Sequence, residues 1–166
     1  MIFVTTGTNE VGFDRLVRAV DLLPPGEEVV VQVGHSSARS SRGTCVEFLP
    51  FDEVVELVRR ARVVVSHAGV GSIMVALSNG QRPVVVPRRP AAGEAVDDHQ
   101  RGLARRLAAA GMVVLLEDER ELPRATAADG RIAAVLGGDD RRLAGDLRDY
   151  LRARVPVRAA EAGRVA

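Results

Sequence analysis

The chain has 166 residues, 46% hydrophobic and 27% charged, with a formal net charge of +1, which fits one soluble globular domain able to bury its own core. The near-zero net charge, 3% aromatic content and absence of tryptophan argue against a nucleic-acid-binding surface, which needs a basic field and stacking platforms. One cysteine and three histidines exclude a disulfide framework and supply too few ligands for a metal cluster; no apolar run approaches the ~20 residues that cross a bilayer, so a cytoplasmic protein is expected.

In chain order, Ile2-Phe3-Val4 opens a strand that stops at Thr5-Thr6-Gly7-Thr8-Asn9. Phe13, Leu16, Val17, Val20 and Leu23 then recur with helical spacing, and Pro24-Pro25-Gly26 closes the segment. Glu28 to Val33 reads as a second strand running into Gly34-His35-Ser36-Ser37, with a loop to Gly43 expected to be mobile. Cys45 to Leu49 reads as a short strand, and Asp52 as the N-cap of a helix carrying Val55, Leu57 and Val58.

The central unit runs from Val63 to Pro87. A β-branched run breaks at Ser66-His67-Ala68-Gly69-Val70-Gly71-Ser72, a short helix ends at Asn79-Gly80, and a second valine run follows. Two all-apolar runs joined through a helix read as neighbouring parallel strands with a crossover. An irregular segment from Arg88 to Val96 leads to Asp97-Asp98-His99-Gln100. The next helix carries Leu103 and Leu107, Gly111 ends it, and Met112 to Leu116 is the last strand. Residues 139–158 combine arginines with an apolar line at Leu143, Leu147 and Leu151. That pattern suits either the charged face of a packed helix or docking on a partner or anionic membrane.

Alternating strands and helices predict a Rossmann-like, doubly wound, mostly parallel sheet over a single domain, 1–166. Such sheets bind ligands outside the carboxyl ends of their strands, and four polar, glycine-bearing loops fall on that edge. Gly69 and Gly71 would let a ligand approach the backbone closely, and the following helix would aim its amides and positive dipole end at an anion such as phosphate. A tight turn that merely starts a helix is the competing reading. The loop lacks both the third glycine of the dinucleotide fingerprint and the Gly-Lys-Ser/Thr of a P-loop. Arg88 and Arg89 would neutralise a diphosphate or fork onto a sugar carboxylate. His67 would act as a catalytic base or orient its loop through a backbone hydrogen bond.

The combination Ser66-His67-Ala68-Gly69-Val70-Gly71-Ser72-Ile73, Gly80-Gln81-Arg82-Pro83 and Asp98-His99-Gln100 resembles the C-terminal domain of family 28 glycosyltransferases, the carboxyl half of a GT-B enzyme. Pro87-Arg88-Arg89 followed by Gly93-Glu94 is similar to small subunits of two-component bacterial exopolysaccharide or capsule glycosyltransferases, and to the catalytic subunit of the dolichol-linked UDP-GlcNAc transferase. The resemblance spans roughly residues 1 to 120. It implies that Thr6, Gly7, Thr8, Gly34, Ser66, Gly69, Val70, Gly71, Ser72, Arg88 and Arg89 hold the nucleotide diphosphate. The backbone near Leu49 to Phe51 would read the uracil edge, and Glu94, Asp98, His99 and Gln100 would contact the sugar. Val75 stands where the family usually carries an acidic ribose clamp, so ribose binding falls to another group, with Glu94 one candidate. With no Asp-x-Asp motif, a metal-independent, inverting transfer from a UDP-sugar without further cofactor is expected. The resemblance also implies a membrane-associated partner that carries the site for a lipid-linked acceptor. A non-catalytic nucleotide-binding regulatory module is the alternative.

Overall fold

The computed structural model of the protein describes residues 1–130; the amphipathic stretch expected at 139–158 lies outside them. Six strands form one parallel sheet: β1 (Ile2–Thr5), β2 (Val29–Gln32), β3 (Thr44–Val46), β4 (Val63–His67), β5 (Val84–Val86) and β6 (Val114–Leu115), in the order β3-β2-β1-β4-β5-β6. The expected doubly wound sheet is the one found. From β1 the chain builds outward through β2 to β3, then returns to lay β4 on the other side of β1 and continues outward through β5 to β6. The order therefore reverses between β1 and β4, and their loops diverge there to leave a crevice.

Helix α1 (Asp14–Ala19), extended by a 3₁₀ turn at Val20–Leu22, and α5 (Leu122–Ala125) pack on one face. Helices α2 (Phe51–Arg60), α3 (Val70–Ser78) and α4 (His99–Ala109) cover the other. The alternation within β1 explains this division. Ile2 and Val4 pack with Leu16, Val17 and Val20 of the first face, while Phe3 meets Val58 and Ala76 of the second. Burying each such side chain stabilises the fold by about 1.5–3 kcal/mol. This is why both central strands are apolar without interruption until their carboxyl ends.

Three local expectations are corrected. Asp52 does not cap α2: Pro50, in extended conformation at φ −53° and ψ 149°, is the N-cap, and no side chain bonds there. The ring fixes the entry angle two residues earlier, and Asp52 and Glu53 instead sit in the first turn against the positive dipole end. Strand β3 stops at Val46, short of Leu49, with one further bond from the Gly34 amide to the Glu47 carbonyl as the chain turns away at Gly34. The loop from Gly34 to Gly43 is tied down rather than free. Asp14 Oδ1 accepts from the amides of Ser37 and Ala38, Asp21 Oδ1 accepts from Ser40, Ser41 and Arg42, and Arg42 donates to the carbonyls of Pro24 and Glu27.

A second tie closes the amino edge of the sheet. Glu27 receives the Met1 ammonium at 2.8 Å and Arg62 Nη2 at 2.5 Å, while Arg62 Nη1 donates to the carbonyls of Thr126 and Ala128. The Arg62 hydrogen bond leads in holding the Glu27 carboxyl down at about 2, below its ordinary 4.5. Because the folded value lies below the unfolded one, this carboxylate contributes fully above about pH 4.5, and the contribution fades as pH falls toward 2. Replacing Glu27 with alanine is expected to lower stability by about 1–2 kcal/mol at pH 7. Denaturant melts from pH 7 to 2.5 should show the gap between the two proteins closing with acid; a gap independent of pH would contradict the assignment.

Candidate functional site

A cleft of about 540 Å³ opens at the carboxyl edge of the sheet where the strand order reverses. Phe3 and Thr5 of β1 and Gln32 of β2 form its floor, because parallel register places Thr5 beside Gln32 on one side and Ser66 on the other. Leu49, Phe51, Val54 and Val58 line the side toward α2; Gly71, Ser72 and Val75 line the side toward α3. His67 and the loop Gly7-Thr8-Asn9 complete the rim. The size falls within the ordinary range for small-molecule and cofactor sites.

The N-terminus of α3 supplies the polar end. Gly69 is its N-cap, and no side chain caps the helix, so amides of the first turn are left for a ligand, with a dipole equivalent to roughly half a positive charge behind them. The glycines here have different reasons. A Cβ on Gly69 would fall 2.2 Å from His67 Nε2, and one on Gly7, whose φ is +78°, would fall 2.3 Å from His67 Cε1. These two residues make room for the imidazole. A Cβ on Gly71 would meet nothing within 4 Å, and its φ lies outside the left-handed range. Neither packing nor backbone conformation requires glycine at position 71, and the space its Cβ would enter is the cleft.

His67 ends β4 and is wedged between those two glycines. Burial, followed by the nearby charge of Arg88, pushes its pKa down to about 4, against a smaller upward pull from the Thr5 backbone. Its Nδ1 is buried without a partner of hydrogen-bond geometry. The ring is therefore neutral near pH 7. A base this weak takes a hydroxyl proton poorly, since general bases work best with pKa values near the operating pH. In the cleft it offers an uncharged hydrogen-bonding wall.

Arg88 is 2% exposed, and its guanidinium is committed to the backbone. Nη1 donates to the carbonyls of Val11, Gly12 and Glu94, Nη2 donates to that of Thr6, and the charge sits 4.8 Å from the Phe13 ring centroid. It fastens the Thr6–Gly12 loop to the segment after β5; removing it would strand four carbonyls, at about 1–3 kcal/mol for each one left buried and unsatisfied. Glu94 is likewise buried, taking Arg15 through both carboxylate oxygens at 3.0 and 2.8 Å and the Arg89 amide at 2.9 Å. The Arg89 guanidinium turns to the Glu117 carbonyl and the Glu119 carboxylate.

Of the remaining expected residues, Gly7, Thr8, Phe51, Gly71 and Ser72 share the cleft with His67. Thr6 follows β1, Ser66 lies in β4, and Gly69 and Val70 open α3, but none of the four is among the lining residues. Gly34, at φ +54°, backs the Gly7 carbonyl, which a Cβ there would approach to 2.6 Å. Asp98 is the N-cap of α4, and His99 Nδ1 pairs with Asp97 at 2.6 Å. Gln100 is half-buried with Oε1 unpartnered. These three lie on the same sheet edge, beyond β4 and outside the lining. Among the described residues no group of three or more His, Cys, Asp or Glu side chains converges to hold a metal ion.

Sequence reasoning missed Gln32, Asn9 and the apolar wall of Val54, Val58 and Val75. For Gln32 a signal existed: it is the one polar residue in Val29-Val30-Val31-Gln32-Val33. An unpartnered buried amide oxygen costs about 1–3 kcal/mol, and Gln32 carries one. For Gly71, alanine is expected to leave thermal stability equal or higher, because it is favoured in a helix by about 1 kcal/mol. UDP affinity measured by calorimetry should nevertheless fall about tenfold or more through blocked access to the helix amides. Unchanged affinity would place the site elsewhere.

Comparison with solved structures gives the same architecture. The chain is similar to the calicheamicin glycosyltransferase CalG4, with a TM-score of 0.59 and 17% identity over 93% of this chain and 44% of that one. It is also similar to the glycotransferase of kitacinnamycin, with a TM-score of 0.61 and 22% identity over 92% of this chain and 39% of that one. The chain thus spans about two-fifths of the length of these structures, and the sheet matches the carboxyl half of a GT-B fold. No curated protein matches the sequence significantly. The model of the glycosyltransferase family 28 C-terminal domain matches residues 1–127, and the chain belongs to that family.

Proposed function

We propose that this protein is the donor-binding half of a UDP-sugar-dependent glycosyltransferase. The observation that carries the reading is the glycine-opened N-terminus of α3 facing a cleft at the sheet's reversal point, in a chain matched by the family 28 C-terminal domain. The diphosphate would lie against the α3 amides and the Ser72 hydroxyl, the uracil against Leu49 to Phe51, and the transferred sugar would extend toward His99 and Gln100. Transfer breaks the bond from the anomeric carbon to the diphosphate as the acceptor oxygen attacks. Negative charge then grows on the leaving diphosphate, where prearranged donors and a helix dipole stabilise it without a metal ion. Inversion follows from a single displacement of this kind.

The guanidinium groups of Arg88 and Arg89 are bonded to loop carbonyls and to Glu119. Arg88 would act through its field and by fixing the Thr6–Gly12 loop. His67, neutral and weakly basic, would be a hydrogen-bonding wall, so the acceptor proton would go to a base on the other half of the enzyme. That half, with the acceptor site, would be a membrane-associated partner that takes a lipid-linked saccharide for surface polysaccharide synthesis. Supporting this is the arginine-rich sequence at 139–158. Among the described residues no helix is long and apolar enough to cross a membrane.

Calorimetric titration of the full chain should show UDP and UDP-sugars binding at least tenfold more tightly than AMP or NAD, with negligible turnover until the partner is added. Equal affinity for all of these nucleotides would contradict donor binding. UDP selectivity without turnover in the presence of the partner would indicate a regulatory nucleotide-binding module.

A further inference from the structure

Gln32 ends β2 in a run otherwise made of valine. It is 4% exposed, lines the cleft floor beside Thr5, and its Oε1 is buried with no hydrogen-bond partner. Its main chain, by contrast, is fully employed, with the carbonyl accepting from the Thr6 amide at 3.0 Å and the Thr6 hydroxyl at 3.2 Å. Gln81 makes an instructive contrast. It too is buried and has an unpartnered Oε1, but its Nε2 donates to the carbonyls of Val58 and Ala61 and so holds the end of α2. Gln32 has no comparable duty through its side-chain bonds, and the residue lines the cleft floor.

An amide oxygen accepts hydrogen bonds and repels phosphate, so its occupant is an uncharged hydroxyl or N–H. Other acceptors near the floor are already engaged: Thr5 Oγ1 accepts from the Gly7 amide, and Asn9 Oδ1 accepts from the Val11 amide. Among the described residues no carboxylate lines the cleft, although carboxylates commonly grip the ribose hydroxyls in nucleotide-binding sheets. Val75 is part of the apolar wall, and Glu94 is bound by Arg15 away from the lining. Topology decides which part of the ligand reaches Gln32. It lies on β2, on the side of β1 toward β3 and the Leu49–Phe51 turn, whereas His99 and Gln100 begin the helix after β5, across β4. The floor at Gln32 is therefore on the nucleoside side of the cleft.

On the reading that the cleft holds a nucleoside diphosphate, we propose that Gln32 Oε1 accepts a hydrogen bond from a ribose hydroxyl and is the residue by which this site recognises a ribonucleotide. The test is calorimetric titration of the full chain, wild type, Gln32→Leu and Gln32→Met, with UDP, 2′-deoxy-UDP and 3′-deoxy-UDP, alongside melting of each unliganded protein. The wild type should prefer UDP over at least one deoxy analogue by about three- to tenfold, the range of one neutral hydrogen bond. Both variants should lose that preference, bind the same analogue within about twofold of wild type, and melt a few degrees higher, because an unpartnered buried oxygen has been removed. Gln32→Met keeps the length of the side chain and guards against a leucine variant that fails to fold. Retained preference in the variants, equal weakening of every nucleotide, or a lower melting temperature with unchanged preference would overturn the assignment to Gln32 while leaving donor binding intact. Failure of the wild type to bind any uridine nucleotide would overturn both.

Discussion

The parallel pairing of β1 with β4 is the constraint on which the rest of this molecule depends. Ile2 to Thr5 lie in register with Val63 to Ser66, and both strands are buried on both faces, so neither can slip or exchange neighbours without exposing valines. Chain direction then sends the loop after Thr5 and the loop after His67 out of the same edge, side by side. One leads to α1 below the sheet and the other to α3 above it. The crevice between them follows from strand order and crossover handedness before any particular side chain is considered.

What the chain places around that crevice is mostly neutral. Its strongly charged groups are spent in the scaffold: Arg88 on four carbonyls, Arg15 on Glu94 and Glu119, Arg62 on Glu27. The lining offers helix amides, hydroxyls, the carboxamides of Asn9 and Gln32, a neutral imidazole and an apolar wall. This division suits a site that must stabilise charge arising during a reaction. Fixed dipoles held by a rigid scaffold need no reorganisation, whereas a mobile arginine or lysine would bind substrate and product diphosphate alike.

The sheet, its order and the helix placed at its reversal point were legible because each rests on local patterns: uninterrupted valine runs, glycines at strand ends, helical spacing between. Gly71 and Ser72 were legible for the same reason. The roles of Arg88 and Glu94 were not, because charge and sequence position near a binding loop look alike whether a side chain points into solvent or folds back onto backbone 76 to 82 residues earlier. That choice is made by the Thr6–Gly12 carbonyls, which need a buried donor once the loop packs down. Asp52 was misread because a proline one residue before the helix outweighs a favourable capping side chain. Gln32 was passed over since a single polar residue in a buried strand reads as noise until the residue is seen to line the cleft.

The central claim is that an anion is held by the first-turn amides of α3. Backbone amide NMR of the full chain titrated with UDP tests it most directly. The account predicts that the largest saturable shifts fall on Val70, Gly71 and Ser72, with smaller ones at Gly7 and Thr8. Shifts confined to the segment from Arg88 to Gln100, with the α3 amides unmoved at saturation, would contradict it.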